Sequence, residues 1–89
     1  MNQLENLCNE YGVTINEIKE KKKTAKIVTI RQIICYELRK TNLSLPKIGK
    51  LINRSHATVF HSIHKINTFI EIQDNFTMNL LNSISKHAL

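Results

Sequence analysis

At 89 residues the chain has room for one small core, and two glycines with one proline are too few for a many-turned β protein. No apolar run approaches the roughly 18 residues of a membrane span, and the N-terminus MNQLENLC lacks the basic and apolar regions of a signal peptide, so a cytoplasmic protein is expected. The net charge is +6 and it is segregated: residues 21–70 hold eleven Lys and Arg against one acid, Glu37, a net +10, while the other residues hold two bases and six acids. Such a field attracts polyanions, DNA first among them, and does little for the fold.

In chain order, Leu4, Leu7, Cys8 and Tyr11 fall at i, i+3, i+4, i+7, one stripe of a helix that Gly12 can end. Thr14-Ile15-Asn16-Glu17 matches a capping box and predicts a short second helix burying Ile15 and Ile18. Lys19 to Lys26 is basic without periodicity and reads as an exposed loop. From Ile27 helical spacing returns through Ile30, Ile33, Ile34 and Leu38 and ends near Thr41-Asn42. Ser44 is a good N-cap, Pro46 sits in the first turn where its missing N–H costs nothing, and Leu45, Ile48, Leu51 and Ile52 form an inner face. Asn53-Arg54-Ser55 is a turn, with Ser55 or His56 as the next N-cap. At about 100° per residue, Val59, Phe60, Ile63, Ile66 and Ile70 share the core-facing arc, and Ala57, Thr58, His61, His64 and Lys65 the opposite one. Asp74 caps a last helix that packs through Phe76, Leu80, Leu81 and Ile84. The expected fold is all-α, about six helices in one domain over residues 1–89.

The stretch SLPKIGKLINRSHATVFHSIHKI thus reads as two short helices joined by a tight polar turn, the layout of a helix-turn-helix. Cys8 and Cys35, each inside an apolar helical pattern, read as reduced, buried thiols. His56, His61 and His64 have no carboxylate or thiol placed to complete a tetrahedral site, so neither zinc nor any other cofactor is expected. Glu37 and Glu71 cannot make the carboxylate cluster of a two-metal nuclease, and no glycine-rich phosphate loop is present, so the chain does not read as an enzyme.

TIRQIICYELRKTNLSLPKIGKLINRSHATVFHSIHKIN resembles the C-terminal DNA-binding domain of the bacterial replication initiator DnaA, a TrpR-like helix-turn-helix domain. Its pattern runs close to RPRQ, then SLPEIG, then GGRDHTTVLHACRKI, and EYGVTINEIKEKKK looks like the helices and basic loop that precede it. Beginning at its own Met and without ATPase or helicase-loading segments, the chain looks like a free-standing module.

The resemblance implies base contacts from His56 and Thr58 and places Ser55 and Ala57 at the family's other base-reading positions. It sets Lys23 where the family puts an arginine in the minor groove. Phosphate contact or positioning is implied for Arg31, Gln32, Arg39, Pro46, the backbone of Leu45, His61 and, beside them, Arg54 and Lys65. Four departures fall in this set. Ser55 replaces an Asp able to accept from a cytosine amino group, and Ala57 replaces a Thr. Lys23 lacks the planar fork of Arg. Asn53 stands for a Gly pair and shortens the turn by one residue.

The implied function is sequence-selective binding of double-stranded DNA, at a DnaA-type box or a variant of it, by a monomeric, nucleoid-associated regulator or initiator-like factor in replication or transcription, without ATPase. The alternative is a protein-interaction module that modulates a replication initiator and binds DNA only non-specifically.

Overall fold

The computed structural model describes residues 3–21 and 24–87, with side chains as far as Asn82. Six helices follow in order: α1 (Gln3–Tyr11), α2 (Ile15–Lys19), α3 (Ala25–Lys40), α4 (Leu45–Ile52), α5 (His56–Glu71) and α6 (Asn75–His87). The described residues contain no strand, so the fold is all-α as the spacing predicts.

Local chemistry explains most of the boundaries. Gly12 ends α1 at φ +71°, a left-handed conformation in which a Cβ is penalised, and the Val13 N–H closes the turn onto the Cys8 carbonyl at 2.9 Å. The capping box of α2 is complete: the Glu17 N–H donates to Thr14 Oγ1, and the Thr14 N–H to Glu17 Oε1, both at 3.0 Å. Asp74 Oδ2 accepts the Thr77 N–H at 3.0 Å and caps α6.

The third helix starts earlier than the apolar spacing indicates. Thr24 is its N-cap, accepting the Ile27 N–H, so Ala25 and Lys26 are helical. Lys19 likewise belongs to α2. The basic loop is therefore shorter than Lys19 to Lys26. An exposed first turn has no apolar periodicity to reveal it; only the cap does.

The central helix is α3, whose Ile30, Ile33, Ile34, Cys35 and Leu38 are fully buried. Around it lie Leu4, Cys8 and Tyr11 of α1, Ile18 of α2, Ile48 and Ile52 of α4, and Val59 and Ile66 of α5. Leu80 and Leu81 of α6 close the same cluster from outside. Its α3–α5 seam includes a polar contact, a hydrogen bond between the buried Ser62 and Cys35. Both cysteines are free and buried.

Two aromatic assignments need correction. Phe60 is 55% exposed and Phe76 46% exposed, so neither is core. On α5 the arc centred on Val59, Ile66 and Ile70 places Phe60 about 100° away, whereas Ser62 lies about 60° from the centre and is buried instead. On α6 the inward position next to Phe76 belongs to Thr77, which is fully buried. Hydrophobicity ranked these residues inside, but helix phase decided. Ile84 lies outside the residues whose side chains are described.

Candidate nucleic-acid interface

The helix pair α4–α5 is held by a turn of unusual tightness. Ser44 Oγ accepts the Lys47 N–H and starts α4, with Pro46 in its first turn. Asn53 ends α4 in the left-handed conformation, φ 59° and ψ 49°, a place usually taken by glycine and next most readily by asparagine. The N–H groups of Asn53 and Arg54 both reach the Gly49 carbonyl, the second at 2.8 Å. A Cβ on Gly49 would run into the Arg54 carbonyl oxygen, so glycine is what lets the chain double back this closely. Gly49 is part of the quoted SLPKIG motif, yet nothing in its sequence pattern reveals this steric duty.

Ser55 then caps α5, its Oγ accepting the Thr58 N–H at 3.2 Å and lying 3.1 Å from the Thr58 hydroxyl. The cap is thus Ser55 and His56 is the first helical residue. From this start the helix presents His56, Ala57, Thr58, His61, His64 and Lys65 to solvent, as the expected outer arc requires. An edge-to-face contact joins the Phe60 and His61 rings at 5.6 Å, and Lys65 Nζ lies 5.7 Å from the Phe69 ring centre.

Between the two helices an open cleft of about 530 Å³ is lined by Pro46, Gly49, Lys50, Asn53, Arg54, Ser55 and His56. The fold therefore gathers Pro46 and the first residues of α5 into one concave surface with Lys50 at its side. Leu45 and Gln32 are half-buried, and Arg39 is exposed, one arm donating to the Leu43 carbonyl at 2.9 Å just before α4 begins.

The two remaining arginines are placed otherwise than expected. Arg31 is buried: its Nε donates to the Ile18 carbonyl at 2.8 Å and its Nη2 to those of Glu20 and Glu17 at 3.0 and 3.4 Å. Burial first, and the neighbouring Arg54 guanidinium second, push its pKa below the ordinary arginine value. A guanidinium inside the protein and bonded to three carbonyls is not set out for a phosphate. The signal was in the sequence: Arg31 stands four residues after Ile27 and three before Ile34, on the inward arc of α3. Arg54 is half-buried and its guanidinium also lies on backbone carbonyls, those of Lys19, Glu20, Ile52 and Asn53. Lys23 lies outside the described residues. Among the described residues no group of three His, Cys, Asp or Glu could hold a metal ion, and no helix is long and apolar enough to cross a membrane.

A family model, that of the bacterial DnaA protein helix-turn-helix, matches residues 4–66. The chain belongs to the DnaA helix-turn-helix family. The chromosomal replication initiator protein DnaA of Streptococcus agalactiae (serotype Ia) is 44% identical over 72 residues, 79% of this chain and 16% of the relative. The DnaA proteins of Streptococcus mutans and Thermoanaerobacter pseudethanolicus are 43% and 35% identical, the latter over 92% of this chain. The chain spans less than a fifth of the length of these curated relatives, 16–18%. The part of DnaA that the family model describes is the helix-turn-helix region, and the matched residues 4–66 run from α1 into α5.

Proposed function

We propose that this DnaA-family chain binds double-stranded DNA sequence-selectively, with α5 in the major groove. The observation that carries this reading is the outer arc of α5: six exposed polar, small or basic residues project from the second helix of a helix-turn-helix, beside exposed Lys47 and Lys50 on the first. His56 and Thr58 read base edges in this scheme, with Ser55 and Ala57 beside them. Arg39, Gln32, Pro46, the Leu45 backbone, His61 and Lys65 position the protein on phosphates. Arg31 is left out of that set because its guanidinium is bonded inside the fold. Lys23 would enter the adjacent minor groove as a point charge.

The target is a DnaA-type box or a variant of one, and the role is that of a regulator or initiator-like factor in replication or transcription, acting as a monomer through binding and not through ATP hydrolysis. Selection of bound sequences from a random duplex pool tests this directly. An enriched box related to the DnaA family's is expected. A pool recovered without any enriched sequence would overturn the selective reading and leave only non-specific affinity.

A further inference from the structure

The last carbonyls of any α-helix lack intrahelical partners, and α2 is so short that this concerns most of it. Its end is closed by two arginines from distant parts of the chain. Arg31 takes the Ile18, Glu17 and Glu20 carbonyls from the side of α3. Arg54, 34 residues beyond Glu20 in sequence, donates from Nη2 to the Glu20 carbonyl at 2.6 Å and from Nη1 to the Lys19 carbonyl at 2.9 Å. The same Nη1 reaches back to the Asn53 carbonyl at 2.9 Å, so one guanidinium joins the helix-turn-helix turn to α2. Glu20 accepts from both arginines, which brings two like charges together. That arrangement carries an electrostatic cost, and the strength of charge-assisted bonds to carbonyls offsets it.

Arg54 is the residue immediately before Ser55, the N-cap of α5. The turn is thus pinned twice, by the Gly49 contact inside and by the Arg54 side chain outside. We infer that Arg54 is a positioning residue for sequence discrimination: its guanidinium, locked on the Lys19 and Glu20 carbonyls, fixes the first turn of α5 against α2 and sets the angle at which that helix meets the bases. It reads no base itself. This rests on the proposed DNA-binding role and goes beyond it by assigning discrimination to a side chain bonded within the protein. A planar fork is needed to span two successive carbonyls; a lysine ammonium at the same place keeps the charge but not the fork.

The test compares binding of the selected duplex and a scrambled one across a salt series, using the whole chain and two variants checked for folding by circular dichroism. Arg54→Lys is expected to lose about tenfold in the ratio of the two affinities, the scale of one lost base contact, with its salt slope unchanged because the charge is kept. A merely structural role would lower the melting temperature and leave that ratio alone in the folded protein, so an unchanged ratio overturns the assignment. Equal loss on both duplexes in Arg54→Ala, with the slope shallower by about 0.9, would make Arg54 a phosphate ligand and overturn it too. Should either variant fail to fold, the unmodified protein still decides. Resolved, slowly exchanging Arg54 Nη protons are expected by NMR without DNA, and their appearance only after duplex is added would refute the lock. If the unmodified protein shows no discrimination between duplexes, the proposed function fails, whereas the NMR result reports on the lock alone.

Discussion

Gly49 shows how a single missing atom fixes the interface. Its hydrogen faces the Arg54 carbonyl where a methyl would collide, and the obstacle is backbone, which cannot swing aside as a side chain does. Gly49→Ala should cost about 1–3 kcal/mol, as overpacking does, seen as a lower urea midpoint, together with weaker DNA binding as the turn opens. An unshifted midpoint would contradict the tight turn. Buried titratable groups give a second prediction at this scale. Burial pushes the Cys35 thiol up to about 12 from an ordinary 9.0, and the Ser62 hydrogen bond only partly opposes it. Tyr11 is pushed up as well, by burial and then by Glu37 and Glu10. A folded pKa above the unfolded one means the native state keeps protons that the unfolded chain has lost. These groups therefore contribute fully below about pH 9 and progressively less as pH rises toward 12. Urea midpoints should be flat in this respect from pH 7 to 9 and fall above it, and Cys35→Ala should reduce the fall. A midpoint that rises with alkali would be inconsistent with buried, protonated thiol and phenol.

At the level of elements, legibility in the sequence followed chemistry that is local. Capping signals at Thr14, Ser44 and Asp74 correspond to real caps, because an N-cap needs only a side-chain oxygen and an N–H three residues on. Phase on α1 and α4 was equally readable. What the sequence could not show was competition for a place inside: Phe60 and Phe76 are more apolar than Ser62 and Thr77, yet the latter pair holds the buried positions. The same limit applies to the site. The outer arc of α5 follows from spacing, whereas the commitment of Arg31 and Arg54 to carbonyls at α2 depends on contacts 11 to 35 residues apart. One prediction belongs to α5 as a unit. Ser55→Asp with Ala57→Thr restores the family's residues, and Asp retains both the capping oxygen and a favourable charge at a helix N-terminus. The pair should gain about 1–3 kcal/mol of discrimination for the family box per restored contact, measured by competition anisotropy. If folded double mutant gains nothing, the turn at Asn53 has re-aimed the helix and transfer of contacts by position fails there.

For the molecule as a whole, charge is the property that extends furthest from the surface, and here structure refines composition. Eleven cations lie within residues 21–70, but the guanidinium groups of Arg31 and Arg54 are bonded to carbonyls within the protein, which engages their N–H donors inside the fold while leaving their charge in the field. Lys26, Arg39, Lys40, Lys47, Lys50 and Lys65 are all exposed, although Lys40 and Lys65 also lie over the Tyr36 and Phe69 rings. Six acids lie outside the basic stretch, so the charge is segregated along the chain, and a basic segment of this size attracts a polyanion. If about five to seven phosphates are neutralised, log K should fall against log salt with a slope of roughly −4.5 to −6. The slope can then be dissected residue by residue. Arg39→Ala should make it shallower by about 0.9 and weaken binding to any duplex by a similar factor, because a phosphate contact carries no sequence information. Arg31→Lys should leave it unchanged while lowering the melting temperature, because that charge answers to α2 and not to DNA. Fluorescence anisotropy from low to physiological salt reads both numbers. A slope near zero for the unmodified chain would sink the electrostatic account, and an equal change of slope in the two variants would show that the buried arginine reaches the duplex after all.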